Sequence, residues 1–274
     1  MAEQAKESAA LRFLYRTVVG RVFLKLLTAR WISKLCGAFL NTRLSKPQIR
    51  RFVNGNGIDL SQFESDNFRC FNDCFSRKIK NGLRPFSADE AVLFSPCDGL
   101  RSAYRLKEKT VLPVKQSAYT LSSLLRDDTL AERYRDGVCL VFRLCVTHYH
   151  RYCYPVSGVK GENVFLKGRL HTVRPIALEA GPIFTENCRE YTVIDTERFG
   201  SVLQMEVGAM LVGKILNHHG SGRVTRGEEK GMFLYGGSTI ILLFEKDKAS
   251  VNERFFEATA NGEETPVVMG ETLV

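Results

Sequence analysis

Between Leu11 and Leu40 the chain runs for thirty residues without an acidic side chain, while Arg12, Arg16, Arg21, Lys25, Arg30 and Lys34 punctuate it every four or five positions. Leu, Val, Phe, Tyr, Ile and Trp supply most of the rest. Such a segment is too charged to cross a bilayer, which takes roughly 18 uncharged apolar residues in a row. A secretory signal places its bases ahead of an unbroken apolar region and a small-residue cleavage site; here bases and apolar residues are interleaved. The pattern suits a segment lying on a membrane surface, apolar side chains in the acyl boundary and bases at anionic headgroups.

One straight helix does not satisfy this pattern. At about 100° per residue, Arg12, Arg16, Arg30 and Lys34 fall within about 40° of one another, and Arg21 and Lys25 fall opposite. Two helices meeting near Gly20, or a basic pair that snorkels, fit better. The plainer alternative is a set of helices packed on the rest of the protein with solvated charges. Nucleic acid is disfavoured, because its binders set aromatics and bases on a more polar face.

The charge follows the same boundary. Residues 1–50 hold ten basic and two acidic residues, a balance of +8, and the other 224 hold 29 and 28, a balance of +1. Only an anionic partner of the N-terminal region is called for. At 274 residues and 44% hydrophobic composition the chain can build a core without disulfides. Cysteines 36, 70, 74, 97, 139, 145, 153 and 188 show neither a CxxC pair nor a framework spacing, so reduced thiols and a cytosolic address are expected.

The expected architecture is α+β. Residues 1–90 read as a helical, basic, membrane-associating region, with a turn at Asn54–Gly57 and a helix over Leu60–Ile79 before Arg84-Pro85. Residues 91–274 read as a β-rich catalytic domain. Strands are expected at Gly137–Leu144, Val164–Val173, Glu190–Ile194, Ser201–Leu216 and Thr239–Phe244, with one helix at Ser122–Arg135.

Four of the five histidines form the pairs His148/His150 and His218/His219. A zinc site from His148, His150, Cys153 and His218 is conceivable, but no HExxH or paired CxxC accompanies it, and no metal is expected. His171 reads as a hydrogen-bonded structural histidine. No GxGxxG or GxxxxGK[ST] supports a nucleotide cofactor. In Gly236-Gly237-Ser238-Thr239, two glycines precede a hydroxyl residue at the mouth of an apolar strand, leaving the Gly237 carbonyl open to attack by Ser238 Oγ. Taken alone, the tetrapeptide is a common turn.

In context, this segment resembles the self-cleavage motif of the phosphatidylserine decarboxylases. Phe71–Lys78 with Arg84-Pro85-Phe86 resembles the family's N-terminal signature, Ser95-Pro96-Cys97-Asp98-Gly99 its Ser-Pro-x-Asp-Gly, and Tyr149-His150-Arg151 its Tyr-His-Arg. Phe184–Arg189 and Glu206–Gly213 follow in the family's order. The resemblance implies a proenzyme that cuts itself between Gly237 and Ser238. Ser238 attacks the Gly237 carbonyl to form an ester, β-elimination releases residues 1–237, and the remaining dehydroalanine hydrolyses to a covalent pyruvoyl group at position 238. That group would decarboxylate phosphatidylserine to phosphatidylethanolamine.

By the same resemblance Asp98 is the charge-relay acid and His150 the active-site histidine. The chain departs from the commoner pattern in having Cys153 where many members carry a second histidine, and His148 where an Asp often stands. His150 covering both self-cleavage and decarboxylation is the favoured reading; assistance by His148, or impaired processing, are the others. Glu206 and Arg189 are candidates for the substrate pocket without a spacing argument. The implied partners are phosphatidylserine, an anionic membrane surface on the cytoplasmic face, the two chains of one proenzyme, and a second copy as a family-level expectation. Two alternatives are a same-superfamily decarboxylase of a soluble amino acid and a catalytically silent peripheral membrane protein.

Overall fold

A computed structural model describes residues 9–106, 112–114, 117–173, 176–177, 183–209, 214–235 and 238–273. The N-terminal segment forms three helices, α1 (Ala9–Arg16), α2 (Val18–Leu27) and α3 (Arg30–Leu40). The expected break near Gly20 falls at Thr17, whose Oγ1 accepts the Gly20 N–H and caps α2. A second break at Thr28-Ala29 was not anticipated. The bases thereby divide among separate helices, which removes the wheel conflict. No described helix is long and apolar enough to cross a membrane.

After α4 (Pro47–Gly55) the expected helix over Leu60–Ile79 does not form. A 3-10 turn at Leu60–Gln62 leads into an extended stretch where Phe63 and Ile79 form an antiparallel bridge, and only α5 (Phe71–Phe75) is helical. Local polar groups take the backbone there: Ser65 Oγ accepts the Asn67 N–H, the kind of bond that competes with helix. The helix expected at Ser122–Arg135 is likewise split into α6 (Leu121–Leu125) and α7 (Asp128–Arg133). Arg126 is left-handed at φ 54°, and Asp127 caps α7 through the Leu130 N–H.

The body holds, in chain order, β1 (Gly99–Arg105), the hairpin β2 (Leu112–Val114) and β3 (Ser117–Tyr119), β4 (Val138–Leu144), β5 (Arg151–Cys153), β6 (Gly158–Lys160) and β7 (Val164–Leu166). The short helix α8 (Ile183–Glu186) precedes β8 (Arg189–Asp195), β9 (Ser201–Val207), β10 (Lys214–Asn217), β11 (Gly222–Val224), β12 (Glu229–Leu234) and β13 (Ser238–Phe244). Helix α9 (Glu253–Ala260) and β14 (Thr265–Val267) close the chain. The expected strands Val164–Val173 and Ser201–Leu216 are both shorter than read, the second continuing only as the separate β10.

Nine of these strands form one antiparallel sheet in the order β11-β6-β8-β9-β13-β4-β1-β14, with β7 on β8; a second sheet is β10-β12-β5. All seven residues of β13 are buried. Its run Ile240–Phe244 cannot alternate, so it suits a central strand covered on both faces. Helix α6 covers one face, where Arg189 donates to the Leu124 carbonyl. The small sheet covers the other, where Lys230 of β12 meets Glu206 of β9. Close passage requires Gly231 on β12: a Cβ there would lie 2.1 Å from the Leu216 carbonyl oxygen and 2.8 Å from Tyr152 Oη.

Candidate active site

Ser238 is the first residue of β13 and pairs with Leu144, the last residue of β4. Ile240 pairs with Glu206 of β9. Directly paired antiparallel residues share a face, and so do residues two apart. Ser238 and Glu206 therefore lie on the face covered by the small sheet. Ser238 is fully buried, and its Oγ takes no hydrogen bond among the described residues. A buried hydroxyl without a partner is costly, which sets this one apart from an ordinary core serine. Gly237, the other half of the expected cleavage site, lies outside the described residues.

The chain leaving β4 turns through Cys145–His148 and returns as β5, which brings His150 to the same end of the sheet. The segment leading to Ser238 is tied to this histidine from upstream: the Phe233 N–H donates to the His150 carbonyl at 2.9 Å. The Phe75 ring packs on the His150 ring at 4.1 Å between centroids, and Tyr235 packs edge-on against Phe75 at 5.4 Å and Phe71 at 5.0 Å. His150 Nδ1 lies 2.8 Å from the His148 carbonyl oxygen. A carbonyl only accepts, so Nδ1 carries the proton and Nε2 of the neutral ring keeps the lone pair a general base needs.

His148 has the opposite tautomer. Its Nδ1 accepts the Cys145 N–H at 2.9 Å, leaving the proton on Nε2. Burial lowers its pKa, opposed by the nearby charge of Asp98. Asp98 itself is held by Arg84, at 3.0 Å from Nε and 2.6 Å from Nη2, and by the Met269 N–H at 2.8 Å. No described hydrogen bond joins Asp98 to His150. The structure thus brings Ser238 and His150 to one end of the sheet and sets Asp98 beside His148.

Cys153, in the position of the family's second histidine, is buried with its N–H on the Pro96 carbonyl at 2.9 Å. Burial pushes its thiol pKa far up, so it stays protonated and supplies no base. The zinc residues considered above have separate partners: His218 pairs with Glu229, and no described cluster of three His, Cys, Asp or Glu residues could hold a metal. All eight cysteines are free.

Neither substrate-pocket candidate is open to a ligand. Glu206 Oε2 accepts from Lys230 Nζ at 2.6 Å and from Asn217 Nδ2 at 3.2 Å, with both ionic side chains wholly buried. Arg189 is spent on the backbone carbonyls of Ser123, Leu124, Thr185 and Asn187. The first pair clasps the two sheets together, and the second ties β8 to α6.

Two cavities flank the segment 147–153. One of about 390 Å³ is lined by Lys78, Lys80, Arg84, Tyr149, Arg151 and Glu229 among others. The other, about 270 Å³, takes Arg77, Arg84, Asp98 and His148 with Asp59 and Phe63. Ser238 and His150 line neither. Sequence reading placed Arg77 and Arg84 within a signature without giving either a role, since an isolated Arg-Pro also reads as a plain turn. Phe75 and Tyr235 likewise lay inside quoted motifs without a role, and Lys230 was missed: an aromatic or a lysine in a mixed segment carries no sign of where it packs.

A family profile for phosphatidylserine decarboxylase matches residues 71–274. The chain is 42% identical over 273 residues to phosphatidylserine decarboxylase proenzyme 2 of Clostridium acetobutylicum, covering 99% of this chain and 93% of the relative. It is 40% identical over 269 residues to a phosphatidylserine decarboxylase proenzyme of Clostridium botulinum, covering 96% and 91%. A proenzyme of the same description from Clostridium kluyveri is 39% identical over 277 residues, covering 99% and 94%.

Proposed function

The chain belongs to the phosphatidylserine decarboxylase family of carboxy-lyases, and from that premise we propose that it converts phosphatidylserine to phosphatidylethanolamine after cutting itself between Gly237 and Ser238. The observation that carries the assignment of the site is the buried, unpartnered Ser238 hydroxyl at the end of the central strand, on the face turned toward the sheet that follows His150. His150 Nε2 takes the proton as Ser238 Oγ attacks the Gly237 carbonyl, and the His148 carbonyl fixes the ring that does so. Asp98 acts on this turn through His148, whose imidazole feels its charge; no described hydrogen bond joins it to the His150 ring.

Cleavage leaves a small chain of residues 238–274. The pyruvoyl group at its head would supply the electron sink that pyridoxal phosphate supplies elsewhere. The residues present suit it: β13 is paired along its length with β4 and β9, which would hold the new terminus where the serine stood. Residues 91–274 form the catalytic part, to which the segment 71–90 lends side chains. Residues 1–90 otherwise form the helical, basic region that rests on an anionic membrane surface as a peripheral protein. Exposed Val18, Val22, Leu26, Trp31 and Leu35 beside Arg and Lys support that reading.

Intact-mass spectrometry tests the first step. The expected result is loss of the 30.9 kDa chain in favour of two fragments, the smaller being residues 238–274, with Ser238→Ala remaining whole and inactive. A wild-type chain that stays whole while decarboxylating phosphatidylserine would defeat the assignment.

A further inference from the structure

The 270 Å³ cavity holds a cation, Arg77, that no described carboxylate pairs by a hydrogen bond or ion pair, although the charge of Asp98 reaches it. Arg77 is 3% exposed. Its Nη1 donates to the Cys74 carbonyl at 3.2 Å and its Nη2 to the Thr147 carbonyl at 3.4 Å, while its Nε has no hydrogen-bond partner among the described residues. Its guanidinium sits 4.4 Å above the Phe63 ring, which eases the burial without supplying a counter-charge. The carboxylate whose charge acts on it, Asp98, is already taken bidentately by Arg84. Asp59 accepts from the Ser61 N–H and from Gln62. A buried cation is stable where an anion completes it. His148 lines the same cavity, and its neutral tautomer offers a second donor, Nε2–H.

We propose that this cavity binds the phosphodiester of the lipid headgroup, with the Arg77 guanidinium as its principal ligand and His148 Nε2–H as a second. The inference rests on the phosphatidylserine reading above and says which part of the headgroup goes where. The amine and carboxylate belong at Ser238. A cation fixed on the carboxylate would hold the ground state and oppose its departure as carbon dioxide. The phosphodiester is unchanged by the reaction, so a cation on it binds substrate and transition state alike. The neighbouring 390 Å³ cavity suits this role less: Lys78 and Lys80 are exposed, and Arg151 is matched by Glu229 at 2.7 Å.

Uniform binding predicts a particular kinetic split. With a short-chain, water-soluble phosphatidylserine, Arg77→Lys, which keeps the charge but loses the planar fork, should raise KM about tenfold and leave kcat within about twofold. Its yield of the 238–274 fragment should match wild type, which shows that it folds. A second measurement needs no variant. On the self-cleaved wild-type enzyme, glycerophosphoserine and glycerophosphoethanolamine should compete with substrate equally well, and free serine at the same concentration should not. Inorganic phosphate should compete weakly. Phosphate that binds the uncut Ser238→Ala protein as tightly as glycerophosphoserine, yet does not compete with lipid, would mark a site for a free anion and overturn the proposal. So would a fall in kcat at unchanged KM, or competition by serine. Absence of the small fragment from wild type would instead refute the pyruvoyl reading itself.

Discussion

His150 and Cys153 stand three residues apart, and their surroundings give them opposite proton chemistry. The imidazole is fixed with its lone pair on Nε2 by one carbonyl, while the thiol is kept protonated by burial. His150→Gln should therefore slow self-cleavage by about a hundredfold or more, the usual worth of a general base, whereas Cys153→Ser should cleave close to the wild-type rate. Time-resolved intact mass measures both, and equal rates for wild type and His150→Gln would remove the histidine from the step. Ser238 and His150 could be singled out in the sequence because each sits in a dense motif. The proposed role of Arg77 could not: it turns on the absence of a carboxylate bonded to this cation, and that depends on Arg84, seven residues further along the chain, having claimed Asp98.

Among the elements, α1 shows how the N-terminal helices are fastened to the body. Tyr15 Oη accepts the Thr172 N–H at 3.2 Å, which directs its own proton to His171 Nδ1 at 3.3 Å. His171 Nε2 then faces Glu186 at 3.5 Å. Burial, helped by Arg169, lowers the His171 pKa from 6.5 to about 4. The unfolded chain binds this proton more readily, so between about pH 6.5 and 4 acidification costs stability, and the contribution is whole again above about 6.5. Protonated Nδ1 would also face the Tyr15 hydroxyl as donor to donor. The melting temperature should fall across that window, and amides of α1 should lose exchange protection first. A His171→Gln variant with the same pH slope as wild type would place the effect elsewhere. This histidine read correctly as structural. The strand β13 was legible because five apolar residues in a row admit few alternatives, while the missing helix over Leu60–Ile79 was not, because its breakers are ordinary Ser and Asn side chains.

On the scale of the whole molecule, the β-rich body and the N-terminal helices answer different demands of the proposed reaction. The proposed cut at position 238 would fall at the end of a strand paired with two others, so the reaction centre could be rebuilt without taking the fold apart. On the proposed reading the N-terminal helices bring that centre to a lipid whose headgroup stays at the bilayer surface. Trp31 is 58% and Leu35 62% exposed on α3, and Val18 is 74% exposed on α2. Apolar residues this open beside bases gain from insertion at an interface, with each base adding about 1 kcal/mol near anionic lipid. The body has a nearly balanced charge, so binding should depend on the N-terminal segment. The chain should float with vesicles containing phosphatidylserine or phosphatidylglycerol, bind neutral phosphatidylcholine vesicles less, and loosen as salt screens the bases. Trp31→Glu combined with Leu35→Glu should abolish flotation while leaving the yield of residues 238–274 unchanged, since both side chains point to solvent. Flotation that survives this double change would move the membrane contact off α3, and flotation indifferent to both salt and lipid charge would take the bases out of it.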